Sequence, residues 1–404
     1  MTLEQAEALD AEDPLASYRA QFMCPAGVIY LDGNSLGQLP MATIATGAEA
    51  ITHAWGQRLI RGWNEGWIDA PQRVGAMIAP LIGAAPDEVI SADSTSVNLY
   101  KLIVAALRLD PERNVVVSEA GNFPTDLHIA EGAVAAVAGA ELRVMERGAL
   151  AEALGDDTAL LMLTHVHYKT AERFDMAAWT KAAHDAGALV CWDLSHSAGA
   201  VAVGLNPAGA DLAVGCGYKY LNGGPGAPAF LYVAKRWQES LHNPLSGWMG
   251  HAAPFEFADG YEAAPGMKRW LTGTPCVLSL LALESGLKLW ADIDIRQVEA
   301  KSAALWEIFH AAGTAAGMEC VTPSDPQQRG SHISFRHPNA YEIVQALIAR
   351  GVIGDFRDPE IMRFGLTPLM LRHADIWRAG EMLREIVASG SFRAPEFAVW
   401  YAVT

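Results

Sequence analysis

A lysine and an aspartate, each placed after an apolar stretch, are the residues of this chain best suited to chemistry. Lys219 lies in the glycine-rich string CGYKYLNGGPG, which begins at Cys216 directly after the apolar stretch 211–214. Asp193 ends a second apolar run, ALVCWD, which begins at Ala188. A lysine amine becomes a nucleophile when its site is partly desolvated, and a strand end that opens into a glycine-rich turn can provide such a site.

A carboxylate and a lysine at neighbouring strand ends indicate a pyridoxal phosphate site. The lysine would hold the aldehyde of the cofactor, and the buried carboxylate would keep its ring nitrogen protonated, as an electron sink requires. Each residue also has a simpler interpretation, because Lys219 can be a solvated loop residue and Asp193 a helix cap or turn former. Their joint occurrence favours the cofactor site.

Five short strings together resemble one enzyme family. In chain order they are YLDGNSLG from Tyr30, FPTD from Phe123, WDLSH from Trp192, YKYLN from Tyr218 and GWMGH from Gly247. The strings and their order are similar to those of kynureninases, and the resemblance extends from about Tyr30 to the region of Arg363. It implies the aspartate-aminotransferase-like fold of pyridoxal-phosphate-dependent transferases and the hydrolysis of L-kynurenine to anthranilate and L-alanine, within tryptophan degradation by the kynurenine pathway.

The resemblance also implies the residues that bind the cofactor. Thr95 and Ser96 would contact its phosphate at the start of a helix, where free amides and the helix dipole favour an anion, although capping alone would also explain these hydroxyls. Phe123 would stack on the ring. The full cofactor set is Thr95, Ser96, Phe123, Asp126, Thr164, Asp193, His196, Tyr218, Lys219, Trp248 and Thr274. The catalytic set is Lys219, Asp193 and Tyr218, and no metal is implied.

Substrate recognition is assigned to a second group. Arg363, in an alternating strand pattern, matches the arginine that binds the substrate carboxylate, although an exposed strand arginine would give the same pattern. Asn34 and Ser35 resemble an active-site strand, and Trp63 with His251 are expected to line the aryl pocket. Animal relatives that favour 3-hydroxykynurenine have histidine and asparagine where this chain has Trp63 and Thr274, so 3-hydroxykynurenine should be the poorer substrate here.

Trp248 and Thr274 match positions that in relatives reach the phosphate from the neighbouring subunit. The resemblance therefore implies a homodimer with a shared active site. A core aromatic would equally explain Trp248.

Composition narrows the class of protein. The chain has 404 residues, 51% of them hydrophobic, and a net charge of −17, which suits a two-domain enzyme and disfavours nucleic acid as a partner. Its five cysteines are widely scattered, as expected in a reducing cytoplasm. Neither a signal peptide nor a membrane-spanning stretch is predicted, so we expect a cytoplasmic enzyme that does not bind membranes.

Helical and strand patterns alternate from about Met41 to Val233 and predict a mixed, mostly parallel sheet with helices. Strands are expected at 115–117, 159–163, 188–192 and 229–233, with Thr164, Asp193 and Lys219 at one edge of the sheet. A long helix is expected from Val277 and further strands at 332–335 and 362–365. We predict an N-terminal segment 1–40 that packs near the active site and the small domain, a large cofactor-binding domain 41–275 and a smaller α/β domain 276–404.

Two other functions fit parts of the pattern. A cysteine desulfurase would share the fold and the lysine but needs a nucleophilic cysteine on a mobile loop, whereas Cys320 lies in a strand-like stretch. A non-catalytic pyridoxal-phosphate-binding protein should carry an extra partner-binding segment, and this chain uses almost all its length for the fold.

Overall fold

A computed structural model describes residues 1–401. Its helices are α1 (Leu3–Ala11), α2 (Met41–Glu49), α3 (Ala70–Ile78), α4 (Thr95–Leu107), α5 (Pro124–Ala135), α6 (Met176–Asp185), α7 (Leu205–Ala208), α8 (Val277–Leu287), α9 (Ile295–Ala315), α10 (Ala340–Ala349) and α11 (His373–Ser389). Its strands are β1 (Ile29–Tyr30), β2 (Val89–Ser91), β3 (Val115–Glu119), β4 (Glu141–Met145), β5 (Thr158–Thr164), β6 (Leu189–Asp193), β7 (Leu212–Gly215), β8 (Phe230–Val233), β9 (Glu319–Cys320), β10 (His332–Arg336), β11 (Val352–Ile353), β12 (Asp355–Arg357) and β13 (Ile361–Gly365).

Seven strands form the central sheet, in the order β2-β8-β7-β6-β5-β3-β4. The strands from β7 to β4 pair in parallel, and β8 and β2 are antiparallel to their neighbours. Helices cover both faces, so every residue of β5 and β6 is buried, as is typical of continuous apolar strands in a parallel sheet. Because the carboxyl ends of β5, β6 and β7 meet at one edge, residues that follow them lie together.

The predicted strands and the helix from Val277 are confirmed, but the alternation of strands and helices begins later than expected. Residues 41–82 form α2, α3 and shorter helical turns, and the first strand of the large sheet starts at Val89. The repeated short apolar runs in this stretch pack as helix faces against α8 and β2 rather than as strands. Periodicity alone does not separate these two arrangements in short runs.

A second, antiparallel sheet has the order β12-β13-β10-β9. Its own core consists of side chains from α9, α10, α11 and the sheet, joined by Leu31 from the N-terminal segment. The boundary that we predict at residue 275 lies just before α8 and stays a prediction.

The N-terminal segment connects the two sheets. Helix α1 packs against α11, and Asp13 forms an ion pair of 2.6 Å with Lys301 of α9. Further along, the Gly37 amide donates to the Tyr218 carbonyl at 2.8 Å. A Cβ atom at Gly37 would lie only 2.1 Å from the Lys219 carbonyl oxygen, so glycine is required there for the segment to touch the lysine turn.

Two further features of the described residues bear on function. No helix within residues 1–401 is long and apolar enough to cross a membrane. All five cysteines are free, and of these Cys276 is exposed, Cys24 and Cys320 are partly buried, and Cys191 and Cys216 are buried.

Candidate active site

A cavity of about 310 Å³ lies at the edge where β5, β6 and β7 end. Side chains from five separate stretches of the chain line it. Nine predicted cofactor residues are among them: Thr95, Ser96, Phe123, Asp126, Thr164, Asp193, His196, Tyr218 and Lys219. The parallel sheet therefore gathers most of the predicted cofactor set in one place.

Lys219 lies in a bend that follows β7 and is partly buried. Its Nζ atom is 2.9 Å from Nε2 of His196 and 5.9 Å from the ring centroids of both Phe123 and Tyr218. Aromatic rings limit water around the amine while the histidine gives it one polar contact. This is the environment that an amine nucleophile needs.

His196 is neutral in this site. Burial, together with the charge of Lys219, lowers its pKa well below the ordinary value. A neutral ring that accepts from Lys219 at Nε2 carries its proton on Nδ1, and Nδ1 has no hydrogen-bond partner within residues 1–401. His196 thus serves as an acceptor for the lysine.

Asp193 ends β6, and Asp126 lies in the first turn of α5. Together they form a buried carboxyl pair. Asp193 is 3% exposed, and its Oδ1 accepts from the Ser195 amide at 2.7 Å. Burial and the charge of Asp193 raise the pKa of Asp126 well above its ordinary value. The charged form of Asp126 is therefore disfavoured beside a second buried carboxyl group.

Thr164 and Asn122 orient this pair. The Thr164 hydroxyl lies 2.5 Å from Asn122 Oδ1 and 3.2 Å from Asp126 Oδ2. A hydroxyl has one proton. The hydroxyl can therefore donate to Asn122 Oδ1 or to Asp126 Oδ2 but not to both at once, and Asp126 thus contacts Thr164 at the end of β5.

The N-terminus of α4 forms another part of the cavity wall. Ser94 is the cap residue, because its hydroxyl accepts from the Val97 amide at 3.3 Å. The hydroxyls of Thr95 and Ser96 are not needed for capping. Together with the positive end of a 13-residue helix, they suit an anion.

Tyr218 faces the same cavity and is partly buried. Burial and the neighbouring Cys216 raise the pKa of its phenol. The phenol remains protonated at neutral pH and is a hydrogen-bond donor.

Arg363 lies outside this cavity, in β13, and is 2% exposed. Its Nε atom donates to Asp355 Oδ1 at 2.9 Å, and Nη2 donates to Asp355 Oδ2. Nη2 also donates to Ser35 Oγ at 2.8 Å, and Nη1 donates to the Tyr168 carbonyl at 2.7 Å. Tyr168 lines the cavity, so Arg363 is linked to the cavity through its hydrogen bond to Tyr168.

Ser35 reaches this arginine from the N-terminal segment, and Asn34 lies next to Gly365 of the same strand. Ser35 Oγ lies 2.8 Å from Asp355 Oδ2. Asn34 is fully buried, and neither atom of its amide has a hydrogen-bond partner in the described chain. A Cβ atom at Gly365 would lie 2.2 Å from Asn34 Oδ1, so the glycine makes room for the amide.

The remaining four predicted residues lie away from the cavity. Trp248 and His251 line a separate cavity of about 350 Å³. Trp63 packs edge-on against Trp67 with ring centroids 5.8 Å apart, and Thr274 is exposed. The single chain does not bring these four side chains to Lys219.

Sequence reasoning missed Asp355, Asp32 and Tyr168. Asp355 and Arg357 alternate in β12, which places both charged side chains on one face of a strand, and this pattern could have drawn attention to them. Tyr168 contacts the Phe123 ring edge-on at 5.1 Å. No pattern around Tyr168 distinguishes it from an ordinary aromatic residue.

Comparison with known families and sequences gives consistent results. Residues 298–383 match the model of the kynureninase C-terminal domain. The chain is 52% identical to a kynureninase of Burkholderia mallei (strain SAVP1), with 100% of both chains covered. It is 48% identical to a kynureninase of Pseudomonas fluorescens, with 98% of both chains covered.

Comparison with solved structures shows the fold. A cysteine desulfurase from Thermococcus onnurineus NA1 superposes with a TM-score of 0.79 at 16% identity, covering 92% of this chain and 98% of that one. C-DES with glycine covalently linked to its PLP cofactor superposes with a TM-score of 0.76 at 18% identity, covering 90% and 98%. At these identities the likeness concerns architecture alone.

Proposed function

The chain belongs to the kynureninase family, and on this premise we propose how its residues share the work of the reaction. It is a pyridoxal-phosphate-dependent hydrolase that cleaves L-kynurenine to anthranilate and L-alanine. The observation that carries the assignment of residues is the meeting of Lys219 and Asp193, from two strand ends, in one cavity.

The cavity residues fit pyridoxal phosphate. The anion-binding end of α4, with Thr95 and Ser96, suits the phosphate, and the buried carboxylate of Asp193 suits a protonated ring nitrogen. The partly exposed ring of Phe123, at 38%, offers an apolar face for stacking. The amine of Lys219, 2.9 Å from neutral His196, suits attachment of the aldehyde.

When bound, the cofactor supplies an electron sink for charge that develops at the substrate α-carbon. In our proposal the substrate amine would replace Lys219 on the aldehyde, and the freed Nζ atom of Lys219 would then remove the α-proton as a general base. His196 Nε2 accepts a hydrogen bond from Nζ and so orients the amine. Water would add to the γ-carbonyl of the substrate, and collapse of the hydrate would break the Cβ–Cγ bond and release anthranilate. The protonated phenol of Tyr218 would deliver or relay a proton within the cavity.

Arg363 binds the α-carboxylate of the substrate in this proposal. Arginine offers a planar fork that matches a carboxylate, and the Tyr168 carbonyl links Arg363 to the cavity wall. Ser35 contacts the arginine, and Asn34 lies next to Gly365 in the same strand. In this proposal both add polar groups to the carboxylate site.

A homodimer accounts for the residues that lie away from the cavity. Large apolar side chains are exposed on α2, on the helical turns after it and on the loop before residue 265, including Ile44, Ile60 at 76% and Phe257 at 78%. Exposed apolar surface of this kind marks protein interfaces. Association through this surface would let Trp248 and Thr274 reach the cavity of the partner.

A cysteine desulfurase is the weaker alternative. Its chemistry needs a thiolate, whereas Cys320 is partly buried in β9 and burial raises its pKa. A raised pKa keeps the thiol protonated.

The direct test is to incubate the purified holoenzyme with L-kynurenine and to follow the fluorescence of anthranilate. We expect anthranilate and L-alanine in equal amounts. Sulfide release from L-cysteine without anthranilate formation would contradict the proposal.

A further inference from the structure

Arg363 is held on one side by a carboxylate of the chain itself. Asp355 and Arg363 are opposite each other in the antiparallel pair of β12 and β13. The two oxygens of Asp355 accept from Nε and Nη2, so the carboxylate occupies one edge of the guanidinium. Cross-strand partners of opposite charge in such a geometry fix each other's position.

The other end of the guanidinium donates to neutral partners, which a substrate carboxylate can replace more easily than it can replace Asp355. Its remaining acceptors are the Ser35 hydroxyl at 2.8 Å and the Tyr168 carbonyl at 2.7 Å. Four of the five N–H groups of Arg363 thus have acceptors among residues 1–401, and the fifth is on Nη1. A substrate carboxylate can bridge Nη1 and Nη2 by replacing Ser35, without displacing Asp355.

Adding a substrate carboxylate changes the charge balance of this cluster. Arg357 also contacts Asp355 Oδ2 at 2.8 Å, so two arginines face two aspartates, Asp355 and Asp32. The groups that face Asp32 are Tyr30 and Ser35 of its own segment, Asp355 and Arg357 of β12, Arg363 of β13 and Tyr220 of the lysine turn. A third carboxylate makes the cluster negative unless one aspartate takes up a proton.

Asp32 is the carboxyl group suited to take up that proton. Its Oδ1 atom is buried and accepts no hydrogen bond from the described residues, which disfavours the charged form. Burial and the neighbouring Asp355 carboxylate raise the pKa of Asp32 to about 7. By contrast, burial is outweighed at Asp355 by the hydrogen bonds from Arg363, which hold its pKa below the ordinary value.

We propose that Asp355 is the positioning residue of the substrate-carboxylate site, and that Asp32 accepts a proton from solvent when the substrate carboxylate joins Asp355 at Arg363. The inference rests on the proposed role of Arg363 in binding that carboxylate. Asp355 aims the free end of the guanidinium at the substrate. Protonation of Asp32 keeps the cluster neutral, so substrate binds better when a proton is available.

The test measures kcat and KM of the holoenzyme for L-kynurenine from about pH 6 to pH 8.5, across the titration of Asp32. Asp355→Asn should raise KM by about 10- to 100-fold through misplacement of the guanidinium, with a much smaller change in kcat. In the wild type, KM should rise as pH increases above about 7, by up to about tenfold per pH unit. Asp32→Asn should lose this rise.

Matched variants separate the possible failures. Asp375→Asn removes another buried carboxylate that pairs with arginines, Arg19 and Arg372, and should leave KM and its pH dependence unchanged. Where Asp355→Asn does not fold, Asp355→Glu keeps the charge but shifts the carboxylate, and it should also raise KM. Circular dichroism and cofactor absorption report folding independently of activity.

An unchanged KM in folded Asp355→Asn or Asp355→Glu would overturn the positioning role. A pH dependence of KM that is the same in Asp32→Asn and the wild type would overturn the proton uptake. Arg363→Lys tests the underlying assignment, because an unchanged KM in that variant would remove Arg363 from the carboxylate site altogether.

Discussion

The cofactor cavity and the apolar face around Trp248 differ in whether one chain alone brings the predicted site residues together. Around Lys219, residues from separate strand ends and helix starts meet within hydrogen-bonding distance. Around Trp248, the predicted residues are exposed or line a separate cavity, and large apolar side chains face outward. A parallel sheet can assemble one site alone, whereas the homodimer that we propose would complete the other site with a second subunit.

Replacement of Lys219 should have the largest effect on activity, because it removes the amine from the cofactor cavity. Lys219→Ala should lose the visible absorption of the lysine-linked cofactor, and turnover should fall by at least about 10³-fold. Lys219→Arg keeps a positive charge but cannot form the link, so it should behave in the same way. An unaltered absorption spectrum in either variant would move the cofactor link to another residue.

Asp193→Ala should have the next largest effect. Without the buried carboxylate the ring nitrogen loses its partner, so we expect weaker cofactor binding and turnover lower by about 10²-fold or more. Cofactor affinity can be measured by titrating the apoenzyme with pyridoxal phosphate. Asp175→Ala, which removes an exposed helix-cap carboxylate, is the control and should bind the cofactor normally; equal affinity in both variants would argue against the role of Asp193.

Hybrid dimers test whether Trp248 acts in the active site of the partner subunit. Lys219→Ala and Trp248→Ala should each be impaired alone. In a mixed dimer, the subunit with intact Lys219 receives an intact Trp248, so equal mixing with exchange should restore about a quarter of the wild-type activity. Mixtures that stay as inactive as their components would show that Trp248 acts within its own chain.

Substrate choice should show the smallest effect. If Trp63 and Thr274 line the aryl pocket, the hydroxyl of 3-hydroxykynurenine lacks a polar partner, at a cost of roughly 1–3 kcal/mol. The ratio of kcat/KM should therefore favour kynurenine in the wild type and move toward 3-hydroxykynurenine in Trp63→His with Thr274→Asn. Equal ratios in the two proteins would mean that other residues set the preference.

The sequence allowed the cofactor cavity to be predicted far better than the carboxylate cluster. Thr164, Asp193 and Lys219 follow apolar stretches, and the rule that parallel strands end at one edge is enough to bring them together. The pairing of Asp355 with Arg363 depends on strand register, which alternation in a short strand does not specify. The alternation of helices and strands was predicted to begin at about Met41, whereas residues 41–82 are helical and the first strand of the large sheet starts at Val89, because short apolar runs suit either structure.

The resemblance to a family supplied residues that physical reasoning alone would not have chosen. Trp248 and Thr274 have no local pattern that marks them as functional, and the structure of one chain leaves them away from the cavity. Their predicted roles depend on a second chain, about which the spacing of residues within one chain carries no information.

The distribution of cysteines provides a built-in reporter of assembly. Because Cys276 is the one exposed thiol among residues 1–401 and lies two residues from Thr274, a maleimide dye should react there first, without any engineered cysteine. The rate of alkylation would then depend on protein concentration if subunit contact covers this position. A single natural thiol thus allows association to be followed by fluorescence in the unmodified sequence.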